Sequence, residues 1–252
     1  MLKLRVIPTL LYRDYGLIKG VAFDSWRHVG SLIQAVRVYN LRDVDELVFL
    51  DIAATREGRG PDFELVDDFA DDCRMPLTVG GGVRSLDDVS RLLGVGADKV
   101  AVNTAAVEAE GLIGDIARRF GSQCVVVSID FRLHADGRRE VFTRSGTQAT
   151  GLDPAQLARR AEELGAGEIL LTSIDRDGTM AGYDVDAIRQ VADAVSIPVI
   201  ASGGAGEYAH MLRAVSEGHA SAVAAASIFH FTQQTPVEAK KYLAAGGLPV
   251  RL

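Results

Sequence analysis

Cysteine is nearly absent from this sequence. Cys73 and Cys124 are the only two among 252 residues, and their separation matches neither a metal-ligand nor a redox spacing. Reduced thiols are expected, with no disulfide framework behind the fold. Long apolar runs are missing as well: none reaches the about 18 residues of a membrane span. The opening MLKLRVIP passes straight into strand-like sequence without a signal-peptide hydrophobic region. A cytoplasmic protein without membrane attachment is expected. Nor is there a basic excess, since the net charge is −7, which argues against a general nucleic-acid binder. The five histidines, His28, His134, His210, His219 and His230, fall in loops or helices without ligand spacing, so neither a metal nor a cofactor is expected.

Apolar residues, by contrast, make up 48% of the chain and come in short β-branched runs separated by amphipathic stretches. The runs lie at 4–10, 46–51, 77–80, 99–103, 124–130, 168–174, 198–202 and 221–227. Such nearly continuous runs suit parallel strands covered on both faces. The stretches between them carry helix signals. Ser85 precedes Asp88 in a capping pattern, Asp153-Pro154 and Thr235-Pro236 place a cap before a first-turn proline, and Gly96, Gly165 and Gly218 close three helices. Eight such units over residues 1–252 predict a single-domain (β/α)8 barrel, with a doubly wound open sheet as the competitor. An internal repeat favours the barrel. Glu46–Leu50 recurs as Glu168–Thr172, and Pro76–Gly82 as Pro198–Gly204, at one common offset. Two half-barrels related by a pseudo-twofold follow, and with them a ligand bearing similar groups at both ends.

Barrel enzymes assemble their sites at the C-terminal strand ends. Gly82 with Asn103-Thr104, and Gly203-Gly204 with Ala226-Ser227, can each form a phosphate cradle, because glycine lets backbone N–H groups approach an anion. Tight strand-to-helix turns are the plainer alternative. Asp130 closes the fifth run at the mouth and is a candidate general acid/base, or else a loop-fixing cap. Asp51 ends the second run. Asp175, Asp177 and Gly178 either bind ribose hydroxyls or form an Asx-turn, and Asp136-Gly137 reads as a hairpin turn. Lys19, in a glycine-punctuated loop, either folds over a bound anion or is a solvated lysine. The first run alone breaks the polar pattern, ending in Leu10-Leu11. At the opposite strand ends stand Arg5, Glu46, Lys99 and Glu168. They can pair into a charged layer or form a solvated rim. Lys99 is on the wrong face for a Schiff-base amine.

The stretches DELVFLDI, PLTVGGG, GADKVAVNTAAVE, FGSQCVVVSID, GAGEILLTSIDRDGT, IPVIASGGAG and SIFHF resemble HisF, the cyclase subunit of imidazole glycerol phosphate synthase, over essentially the whole chain. The resemblance implies a barrel that holds a bis-phosphorylated substrate. It also implies a HisH-like glutaminase docked at the barrel bottom, near Asp98 and Gln123, whose ammonia crosses the barrel through a gate matching Arg5, Glu46, Lys99 and Glu168. One departure stands out. HisF-type cyclases carry an aspartate within CLD at the end of strand 1, as the partner of the one matching Asp130, and this sequence has Leu11 in TLL. A leucine transfers no proton, and a positioned acid or base contributes about 10²–10⁴ in rate. Asp14 and Asp24, past the strand end, are poor substitutes.

The stretch RVIPTLLYRDYGLIKGVAFDSWRHVGS, with VYNLRDVDELVFLDI and SIFHFTQQTPVEAKKYL, is similar to the WbuZ/AglZ-like paralogue branch linked to acetamidino modification of surface-polysaccharide sugars. That branch implies an ammonia-supplying barrel that serves a separate sugar amidotransferase. A histidine-pathway cyclase that tolerates Leu11 is the alternative, followed by a non-catalytic scaffold that binds phosphorylated metabolites. The sister phosphoribosyl isomerase fits less well, since it has no use for the four-charge ring.

Overall fold

A computed structural model describes residues 3–109 and 111–252. The strands of the first half are β1 (Arg5–Arg13), β2 (Gly16–Val21), β3 (Asp24–Gly30), β4 (Leu47–Asp51), β5 (Leu77–Gly80) and β6 (Lys99–Val102). Those of the second half are β7 (Val125–Leu133), β8 (Arg139–Thr143), β9 (Gln148–Ala149), β10 (Glu168–Ser173), β11 (Val199–Ser202) and β12 (Ala222–Ala225). Eight of them, β1, β4–β7 and β10–β12, form a closed parallel barrel. Closure runs through β7 to β10, with Asp130 beside Thr172, and through β12 to β1, with Ala222 beside Arg5. The fold is the expected (β/α)8 barrel.

Helices α1 (Leu32–Leu41), α2 (Phe63–Ala70) and α3 (Leu86–Gly94) cover the first strands, followed by a short α4 (Thr104–Glu108) and α5 (Gly111–Phe120). Next come α6 (Pro154–Glu163), α7 (Val185–Ala192), α8 (Tyr208–Ser216), the short α9 (Ser227–Phe231) and α10 (Pro236–Ala245). The expected caps are in place. Ser85 and Asp88 form a reciprocal capping box, as do Thr235 and Glu238, and Asp153 accepts from Ala155 and Gln156. Gly96 and Gly165 take the left-handed conformation after their helices, but after α8 that conformation falls on His219 and not on Gly218.

Alternation sorts each barrel strand into two faces. On β1, Val6 and Leu10 pack outward into the main core beneath the helices, while Ile7 belongs to a separate interior cluster with Val48, Val126, Leu170, Ile200 and Ala222. The interior is therefore layered, with charges at the bottom, an apolar layer above them and a cavity at the top. No helix among the described residues is long and apolar enough to cross a membrane.

Two corrections concern the first strand. It continues to Arg13, because Leu11–Arg13 gain antiparallel partners in β2, and Leu11 and Tyr12 have parallel partners in β4 as well. Leu11 thus lies inside the strand, not at its end. The segment expected as a glycine-punctuated loop is the β2–β3 hairpin.

Candidate functional site

A cavity of about 280 Å³ opens at the C-terminal ends of the barrel strands. Both predicted cradles line it. Gly81 and Gly82 take φ of 109° and 74°, and Gly203 and Gly204 take 83° and 114°, so the sequence repeat is a repeat of backbone conformation. No side chain would fit: a Cβ on Gly82 would lie 2.8 Å from the Arg59 carbonyl oxygen, and one on Gly204 would lie 2.2 Å from that of Gly182. Asn103-Thr104 and Ala226-Ser227 complete the cradles at the starts of α4 and α9. The two are not equivalent. The Asn103 amide is directed at the Ser128 and Phe142 carbonyls and at Asp130, and the Thr104 hydroxyl accepts from the Arg144 N–H at 3.0 Å. Ser227 Oγ is buried and has no hydrogen-bond partner among the described residues.

Asp130 sits between these cradles. Burial, reinforced by the neighbouring Asp177 carboxylate, pushes its pKa up to about 7, against the smaller opposing effect of hydrogen bonds from Ser128 and Thr172. A carboxyl group in that state can give or take a proton at neutral pH. β7 stands four strands from β1 in either direction round the barrel, so Asp130 and Leu11 face each other across the mouth. Leu11 also lines the cavity, beside its cross-strand neighbour Leu50. One wall carries a protonatable group and the other is hydrocarbon. Neither nearby aspartate reaches in. Asp14 pairs with Arg13, Asp24 accepts from the Ser25 N–H, and neither lines the cavity.

Lys19 lines the cavity, as do Asp177 and Gly178, and it is not a solvated lysine. It is 2% exposed on β2, and its Nζ lies 2.5 Å from Asp177 Oδ2. The hairpin brings it there by packing on the loop after β10, where the Ala22 N–H donates to the Asp177 carbonyl. Gly178 permits that approach, since a Cβ there would lie 2.0 Å from the Gly20 oxygen. Asp177 therefore holds the hairpin down, whereas Asp175 lies outside the cavity and accepts from the Leu133 N–H at 2.8 Å. Asp51 lines the cavity as a loop anchor, accepting from the Ala53 and Ala54 N–H groups and from Arg59 at 2.6 Å.

At the other end of the barrel the four charges form a closed ring. Arg5 meets Glu46 at 2.6 Å and Glu168 at 3.0 Å, and Lys99 meets the same two carboxylates at 3.0 and 3.1 Å. Burial works against the Arg5 charge, but Glu168 and Glu46 outweigh it and raise its pKa. Glu46 is 1% exposed and also accepts from the Thr78 hydroxyl at 2.8 Å. The ring is a layer, not a solvated rim. Asp98 and Gln123 lie at this end, just before β6 and in the turn before β7. Asp98 accepts from the Leu77 N–H, and Gln123 donates to the Phe120 carbonyl.

The family model described as "Histidine biosynthesis protein" matches residues 5–235, from the first residue of β1 to the cap of α10. The chain belongs to this family. Within this histidine-biosynthesis barrel, sequence reasoning missed several cavity residues. Phe23 and Trp26 enter from the hairpin, and Thr9 and Thr172 enter from inner strand faces. The two threonines could have been found by following the strand alternation back from the expected strand ends. The hairpin residues gave no such signal.

Proposed function

We propose that this histidine-biosynthesis barrel is a HisF-like synthase subunit that takes ammonia from a HisH-like glutaminase at its charged end. It passes that ammonia through the interior for acetamidino modification of a surface-polysaccharide sugar, with ring-closing chemistry disarmed by Leu11. The observation that carries the reading is the pairing of an intact four-charge ring with a mouth that has Asp130 on one side and Leu11 on the other. A ring of charges with Glu46 buried and the other three partly buried gives little net stability over hydrocarbon, which supports a role for it beyond packing. The apolar layer above the ring suits a small neutral molecule. Asp98 and Gln123 supply polar groups for the glutaminase face, and the two cradles suit a phosphorylated ligand.

A histidine-pathway cyclase is the second reading. It is favoured by the titration of Asp130 near pH 7, which would let one carboxyl group serve as both acid and base.

Isotope transfer tests the conduit. The barrel, its glutaminase and the sugar-modifying amidotransferase are supplied with amide-¹⁵N glutamine in excess unlabelled ammonium. The expected product retains the glutamine label. Dilution of the label to the bulk ratio would contradict passage through the barrel.

A further inference from the structure

Among the described residues, two buried side-chain hydroxyls lack any hydrogen-bond partner, Thr9 Oγ1 and Ser227 Oγ, and both line the cavity. Ser227 belongs to the second cradle, which accounts for it. Thr9 has no such account. It is 7% exposed on the inner face of β1, between Ile7 of the apolar layer and Leu11 at the mouth. The interior hydroxyls of Thr78, Ser128 and Thr172 are already engaged with Glu46 and Asp130. The β-ladder to Val48 and a hydrogen bond from half-buried His230 hold the Thr9 backbone in place, so its hydroxyl stays on the inner face. An unpaired hydroxyl there is costly unless a small molecule completes it.

A molecule rising from the gate along β1 passes Arg5, Ile7, Thr9 and Leu11 in turn, at roughly 6.6 Å per step of two residues. We propose that Thr9 is the exit station of the ammonia passage, its hydroxyl hydrogen-bonding neutral ammonia just below Leu11. The inference rests on the conduit reading above. Ammonia offers donors and one lone pair, and a threonine hydroxyl both accepts and donates. Above Thr9, Leu11 and its cross-strand neighbour Leu50 are hydrocarbon, so the threonine carries the one polar side chain between Arg5 and Leu11 on the inner face of β1.

The test uses the whole chain with ¹³C-methyl-labelled threonine, the Thr9 signal being assigned by its loss in Thr9→Val. Ammonium chloride at alkaline pH, where a large share is free base, should shift that signal saturably. The same salt at weakly acidic pH, and sodium chloride at either pH, should not. An unmoved Thr9 signal at alkaline pH would overturn the inference, whatever the complex does. The isotope assay supplies the second arm. Thr9→Val should lower glutamine-supported product about fivefold, the worth of one net hydrogen bond, and Thr9→Ser should restore it. Equal transfer by native and Thr9→Val would also overturn the station. Failure of transfer by the native barrel would instead bring down the conduit reading, and the exit role with it.

Discussion

Asp130 keeps its proton to about pH 7 in the folded chain, whereas an ordinary aspartate releases it near 3.8. The sign of the effect on stability follows. The contribution of the neutral, buried carboxyl is complete below 3.8 and is lost as pH rises through 7. Asp130→Asn keeps the hydrogen-bonding shape without the charge. Denaturant unfolding should find this variant more stable than the native chain at pH 8, by up to about 4 kcal/mol, with the two converging below 3.8. Equal pH dependence in both proteins would mean that Asp130 titrates normally. Leu11 has no such signature. Its significance is positional, four strands away across the mouth, and only the register of β1 against β4 places it there.

At the scale of elements, the eight barrel strands were legible because each is buried on both faces and therefore nearly continuous in apolar residues. The main helices were legible from their caps. The hairpin was not. Its left-handed positions fall on Asp14, Tyr15, Ala22, Phe23 and Ser25, not on glycine, and its buried Lys19 reads in sequence as a surface charge. The five-residue α4 and α9 are too short to show a helical period. What holds the hairpin down is the Lys19–Asp177 pair and the close approach of Gly178 to Gly20. Gly178→Ala would place a methyl 2.0 Å from the Gly20 oxygen and strain a φ of 76°. The hairpin should then release, seen as faster amide exchange at residues 16–30 with the barrel strands still protected. Unchanged exchange would show that other contacts hold it.

Across the whole molecule, a charged ring at one end and a half-apolar mouth at the other are joined by the apolar interior layer. The ring was visible in the sequence as four charges at strand starts, but their alternation and closure depend on which strands are neighbours. Glu46 is its most buried member and contacts Arg5, Lys99 and Thr78. Glu46→Gln leaves the two cations sharing Glu168, so thermal unfolding should record a loss of roughly 3 kcal/mol. No loss would mean that the ring relaxes without it. Under the proposed function, the mouth is a preserved site disarmed at one residue. This is tested most directly by ring-closing turnover of the cyclase family's bis-phosphorylated substrate at high ammonium, for the native chain and Leu11→Asp side by side. No turnover is expected from the native chain, and clear turnover from Leu11→Asp. Robust native turnover would contradict it and make Asp130 alone sufficient for cyclisation.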